Sequence, residues 1–143
     1  MPHTQKNSLN QSFKISTAPM IDWTDRHCRH FFRLFSQEMQ IYTEMITTGA
    51  LLNGDTKRFL QTSEDINDYT VLQLGGSDPK DLAESVAIAS AYNYKEINLN
   101  LGCPSPRVQK GRFGACLMAE ADHVAKCITA MQEASSLPIS IKC

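Results

Sequence analysis

The order of polar and apolar positions divides this chain into short alternating runs separated by longer amphipathic ones. Phe13 to Ala18 alternates residue by residue, the period of a half-buried strand. Pro19 then turns the chain, and Thr24 stands where a helix N-cap is expected. The predicted helix brings Cys28, Phe31, Phe32 and Phe35 to one side at i, i+3, i+4, i+7 spacing, so its buried face should be apolar. Met39 to Thr43 reads as a second strand, and Val71 to Leu74 as a third, closed by Gly75 and Gly76. Asp78-Pro79 opens a helix as N-cap followed by proline at the first helical position. Leu82, Val86 and Ala89, with Ala83, should line its buried side. Glu96 to Leu101 is the fourth strand. Glu120 to Ala134 is a helix with Val124, Ile128 and Met131 on one stripe, and Ile139 to Lys142 is the fifth strand.

Strand centres near residues 15, 41, 72, 98 and 140 suit successive strand–helix units and a parallel α/β sheet. Such strands fit a doubly wound sheet or part of a (β/α)₈ barrel. A whole barrel needs about 250 residues, so the 143 residues here supply about half of one. The residues with chemistry fall at one kind of place. Pro19-Met20 follows the first strand and Glu44-Met45 the second. Gln73 ends the third, Asn100 and Cys103 follow the fourth, and Lys142 ends the fifth. Parallel barrels hold their active sites at these carboxyl ends.

Composition narrows the function class. With 42% hydrophobic and 20% charged residues, disorder and fibrous repeats are excluded. The formal net charge of −1 gives no overall basic surface, so any nucleic-acid contact must be local or lie outside this chain. Five cysteines, an odd number without a CxxC pair, point to reduced thiols and a cytoplasmic setting. No run approaches the ~20 apolar residues that span a bilayer, so no membrane partner is expected. His3, His27, His30 and His123 lack metal-ligand spacing, and no metal site is expected. Residues 1–12 are polar and read as a disordered N-terminal tail, with the folded unit over 13–143. Leu137 to Cys143 opens a strand at Pro138 and stops, which reads as a truncation after the fifth strand.

Five segments resemble the tRNA-dihydrouridine synthases, particularly their A subfamily. They are Ala18-Pro19-Met20 with Asp22-Trp23-Thr24-Asp25-Arg26; Tyr42 through Ala50; Leu72-Gln73-Leu74-Gly75-Gly76; Asn98 through Pro106; and Ile141-Lys142-Cys143. The match runs in family order from about Phe13 to the last residue. Its most specific part is Gly102-Cys103-Pro104-Ser105-Pro106, continuing through Gln109-Lys110-Gly111 to Gly114-Ala115.

The resemblance implies the N-terminal half of an FMN-binding TIM barrel, without the second half and the helical tRNA-binding domain. It implies an oxidoreductase that reduces D-loop uridine (positions 20/20a) in tRNA to 5,6-dihydrouridine, with NADPH as reductant, and a monomer at full length. Cys103 would be the catalytic proton donor; a thiol of ordinary pKa, about 8.5, is mostly protonated near neutral pH, as a donor requires. A packing cysteine is the bland alternative, and the preferred reading of Cys28, Cys116 and Cys127. Ala18, Pro19, Met20, Gln73 and Lys142 would hold the flavin. Read alone, they are a strand end, a proline turn, a turn-capping amide and a solvated lysine. Asn100 would meet the uridine, or bond its own loop backbone. Arg107, Lys110 and Arg112 form a basic cluster that suits phosphates or plain solvent. Glu44 would orient neighbouring loop groups. Two rival readings are an FMN barrel acting on a free pyrimidine, and a catalytically incomplete fragment.

Overall fold

The computed structural model describes residues 15–61 and 69–143. The tail expected over 1–12, and Phe13 and Lys14 of the first expected strand, lie outside the described residues. The elements in chain order are α1 (Arg26–Phe35), β1 (Ile41–Thr47), α2 (Thr48–Asn53), α3 (Thr56–Leu60), β2 (Thr70–Gly75), α4 (Pro79–Ala89), β3 (Glu96–Asn100), α5 (Pro106–Lys110), a 3₁₀ helix (Gly114–Ala119), α6 (Ala121–Ala134) and β4 (Ile139–Lys142).

The four strands form one parallel sheet in the order β1-β2-β3-β4. The segment expected as the first strand contributes, among described residues, a parallel bridge from Ser16 to Gln40. It thus lies on the β1 side, again in sequence order. A doubly wound sheet reverses strand order at a switch point. An unbroken sequential order is that of a barrel wall.

The two faces of the sheet differ. Leu72 and Leu74 of β2, with Ile97 and Leu99 of β3, pack against Leu82, Val86, Cys127 and Met131 of α4 and α6 in one buried cluster. The other face carries Gln73, Asn98, Asn100 and Ser140, brought side by side by the registers Gln73↔Asn98 and Asn98↔Ser140. Gln73 and Asn98 are fully buried there although polar.

The helix starts follow their capping chemistry. Asp78 accepts hydrogen bonds from the N–H groups of Lys80 and Asp81 and starts α4, as expected. The N-cap of α1 is Asp25, which accepts from the Cys28 N–H, and not Thr24. The Thr24 hydroxyl is engaged by Met20 instead, accepting from its N–H and donating to its carbonyl. β1 runs further than expected, and Glu44 and Met45 lie within it, where the register shifts between Tyr42 and Met45. Such an irregularity absorbs a charged residue that simple alternation would exclude.

The expected orientation of α1 is reversed. Phe31 and Phe35 are 55% and 70% exposed, whereas Arg29 and Arg33 are buried. Hydrogen bonding outweighs the apolar pattern here. Arg33 Nη1 donates to the carbonyls of Ser36, Gln37 and Met39 in the turn from α1 into β1, although its Nε and Nη2 are buried without a partner. Arg29 Nη1 donates to the Thr24 carbonyl at 2.7 Å, and burial pulls its pKa below the usual arginine value. Of the cysteines expected to fill the core, Cys127 is buried and Cys28 half-buried, but Cys116 is exposed.

Candidate active site at the carboxyl ends of the strands

A cavity of about 340 Å³ opens at the carboxyl ends of β1–β4, lined by Pro19, Ile21, Met45, Gln73, Asn100, Gly102, Cys103 and Lys142. The topology explains the convergence. Gln73 and Asn100 project from the non-helical face of adjacent strands, Lys142 lies opposite Asn100 in the β3–β4 register, and Cys103 sits three residues past Asn100. Six residues singled out from sequence therefore share one cavity: Pro19, Met45, Gln73, Asn100, Cys103 and Lys142. Ala18 and Met20 do not line it and are exposed. Ile21 does line it, and its apolar character alone does not distinguish it from core residues.

The cysteine loop is held from both sides. Asn100 Oδ1 accepts from the N–H of Gly102 at 3.2 Å and of Cys103 at 3.0 Å. The Cys103 carbonyl accepts from the Ala115 N–H at 3.1 Å. Two glycines permit this path. A Cβ on Gly102 would lie 2.7 Å from the Cys143 carbonyl carbon, so only glycine lets the end of β4 pass. Gly114 has φ +65°, and a Cβ there would lie 2.7 Å from the Cys103 oxygen. Cys103 is half-buried and lines the cavity, outside the core cluster.

The Gln73 side chain is fully buried. Its amide donates to Asn98 Oδ1 at 2.8 Å and accepts from Asn100 Nδ2 at 2.9 Å. A side-chain amide has two donors and two acceptor lone pairs, so each of Gln73 and Asn100 keeps capacity for a ligand in the cavity. The loop that carries Pro19 and Ile21 is pinned by Glu44, whose Oε1 accepts from the Asp22 N–H at 2.6 Å. That fits the loop-orienting part read for Glu44, and Asp22 needs the anchor because it holds φ 65°. A second cavity, of about 640 Å³, adjoins the first through Ile21 and Met45 and reaches Phe113, Thr48 and Asp78. In the loop beyond Cys103, Lys110 and Arg112 are exposed, while the side chain of Arg107 lies outside the described residues.

The site can accept a flat heteroaromatic ring. Pro19, Ile21 and Met45 offer apolar contact, Gln73 and Asn100 offer amide edges, and Lys142 offers a cation, a lining typical of small-molecule sites. Among the described residues, no group of three or more His, Cys, Asp or Glu side chains is placed to hold a metal. No helix among them is long and apolar enough to cross a membrane.

Comparison with known proteins identifies the family. The family model described as dihydrouridine synthase (Dus) matches residues 16–143. A Salmonella typhimurium protein named tRNA-dihydrouridine(20/20a) synthase is 52% identical over 141 residues, covering 99% of this chain and 42% of its own length. Proteins of the same name from Yersinia pestis and Escherichia coli are 56% and 51% identical, covering 90% and 96% of this chain. The chain spans 37% and 39% of those two relatives. The match of the family model to residues 16–143, together with relatives of 51–56% identity, places this chain in the dihydrouridine synthase family.

Proposed function

We propose that this chain carries the catalytic face of an FMN-dependent tRNA-dihydrouridine synthase, acting on D-loop uridine as the 20/20a names of its relatives indicate. The observation that carries the reading is the shared cavity of Cys103, Gln73, Asn100 and Lys142 at the carboxyl ends of parallel strands. The sheet would be the first part of an eight-stranded barrel.

The cavity lining fits an isoalloxazine ring. Pro19 and Met45 would lie against the ring, Gln73 would pair with its polar edge, and Lys142 would favour negative charge on its pyrimidine side. Ala18 and Met20 would contribute backbone contacts from the pinned loop. When bound, reduced FMN supplies a hydride to C6 of the uracil ring, and NADPH restores it. The chain's own part is the proton. Uridine must leave the base stack to enter, and the remaining Asn100 N–H would pair with a uracil oxygen. Cys103 Sγ–H would then give its proton to C5, on the loop that the Asn100 and Ala115 hydrogen bonds hold still. Lys110 and Arg112 would meet tRNA phosphates near this loop.

Barrels bind phosphate through the loops after strands seven and eight, which the described residues do not include. The 143 residues alone should therefore hold FMN weakly and turn over poorly. The test is a chimera in which this chain replaces the matching segment of the Yersinia pestis relative, to which it is 56% identical. The chimera should bind flavin and form dihydrouridine in tRNA transcripts, with no reduction of free uridine or orotate. A flavin-loaded chimera that reduces the free pyrimidines and spares tRNA would refute the substrate assignment.

A further inference from the structure

The polar face of the sheet contains a hydrogen-bond chain that runs from β3's first residue to the cysteine loop. Glu96 Oε1 accepts from the Ser140 hydroxyl. Ser140 Oγ accepts from Asn98 Nδ2 at 2.8 Å. Asn98 Oδ1 accepts from Gln73 Nε2 at 2.8 Å, and Gln73 Oε1 from Asn100 Nδ2 at 2.9 Å. Asn100 Oδ1 accepts from the N–H groups of Gly102 and Cys103.

Both ends of this chain have a fixed polarity. An ionised carboxylate can only accept, and a backbone N–H can only donate. Every side chain between them has one donor and one acceptor committed along the line, so the orientation of each amide follows from that of its neighbour. Reversing one amide alone sets donor against donor on one side and acceptor against acceptor on the other. Asn98 is 1% exposed, so water cannot relieve such a mismatch at the centre of the line. Glu96 is further engaged by Gln40 Nε2 at 3.2 Å, and Tyr42 faces it closely enough that burial and the Glu96 charge together raise the Tyr42 pKa.

We propose that Glu96, through Ser140, Asn98 and Gln73, is a positioning residue that holds Asn100 with its oxygen toward the cysteine loop. Glu96 and Asn100 stand four residues apart on β3, roughly 13 Å at ~3.3 Å per residue. The carboxylate thus fixes a backbone clasp it does not touch. The consequence for proton delivery rests on the reading of Cys103 as the donor; the relay itself does not.

The chain's logic allows a reversal test. Glu96→Gln places a donor against Ser140 and keeps an oxygen for Gln40. Asn100→Asp places an acceptor-only group at the other end. In the double variant the introduced amide donates to Ser140, Ser140 to Asn98, and Asn98 to Gln73. Gln73 then donates to the introduced carboxylate, which still accepts from the N–H groups of Gly102 and Cys103. Net charge is unchanged. Amide hydrogen exchange at Gly102 and Cys103 in the purified full chain reads the clasp without flavin or tRNA. Each single variant should exchange at these amides at least about tenfold faster than the parent, the effect of one unsatisfied buried polar group. The double variant should return to within about threefold of the parent. Unchanged exchange in Glu96→Gln, or a double variant that shows the summed loss of the two singles, overturns the relay. Absence of dihydrouridine formation by the chimera would sink the functional reading and leave this result untouched. If both hold, Glu96→Gln in the chimera should lower kcat with KM for tRNA unchanged.

Discussion

Replacing Gly114 by alanine should unseat the cysteine loop, and the structure sets the size of the effect. Gly114 has φ +65°, a conformation that costs a residue with a Cβ about 1–2 kcal/mol. The added Cβ would sit 2.4 Å from Val108 Cγ1 and 2.7 Å from the Cys103 oxygen. Comfortable carbon contacts lie at roughly 3.5–4.0 Å. The valine can turn, but the oxygen belongs to backbone that also accepts the Ala115 N–H. Relieving overpacking of this kind costs about 1–3 kcal/mol more. The total is about 2–5 kcal/mol, a shift of roughly 1–3 M in the urea midpoint at an m-value near 1.5 kcal/mol/M. Urea unfolding measures the stability. Peptide mapping after brief alkylation measures the thiol, and Cys103 should change its rate while Cys28, on α1 and outside the clasp, keeps its own. Gly49→Ala is the matched control. Nothing lies within 4 Å of its added Cβ, and Gly49 lies within α2. Alanine is the better helix former there by about 0.5–1 kcal/mol, so this variant should be neutral or more stable. A Gly114→Ala protein within about 0.5 kcal/mol of the parent, with Cys103 alkylated at the parental rate, would refute the reasoning.

Three further outcomes are expected. Cys103→Ala should leave the urea midpoint close to the parent's, because the half-buried side chain is not in the core cluster, and should abolish dihydrouridine formation in the chimera; retained turnover would exclude Cys103 as the donor. Burial pushes the Tyr94 pKa up to about 12, against the opposing Arg29 charge, so the fold binds that proton more tightly than the unfolded chain does. Stability should therefore be intact below pH ~10 and fall as pH rises toward about 12. In Tyr94→Phe that part of the pH dependence should vanish, with about 1–2 kcal/mol lost because the Leu60 carbonyl loses its phenolic donor; an unchanged alkaline limb would contradict this. Asp25→Ala should cost about 1 kcal/mol through loss of the α1 N-cap, and Thr24→Ser, which keeps the hydroxyl bonded to Met20, should cost less in the same urea titration.

Much of the fold could be read from the sequence because its punctuation is local. Branched apolar runs closed by Gly75-Gly76, opened by Pro138, or followed by Asp78-Pro79 mark β2, β4 and the start of α4 directly. The failures share one physical cause, hydrogen bonding that periodicity does not register. Arg29 and Arg33 are drawn inward by backbone carbonyls and turn the phenylalanines of α1 outward. Glu44 remains inside β1 because it caps the Asp22 N–H. The alternation Glu96-Ile97-Asn98-Leu99-Asn100 reads as a strand, but does not show that Asn98 and Asn100 are buried or that the amides satisfy one another through Gln73. Family motifs brought Gln73, Asn100, Cys103 and Lys142 forward, and the parallel register explains why they converge. Asn98 lies in one of the family segments without an assigned role and Ser140 in none; only the cross-strand pairing shows what they connect.

Cys103 is proposed to protonate a tRNA uridine at the carboxyl face of this sheet. The most direct measurement is mass spectrometry of D-loop fragments from unmodified tRNA after incubation with FMN, NADPH and the chimera, carrying Cys103 or alanine at that position. Uridine 20 or 20a should gain the mass of two hydrogens with Cys103 and none with alanine, while flavin binding is equal in both. Equal mass gain in the two proteins, or none in a flavin-loaded chimera with Cys103, would contradict it.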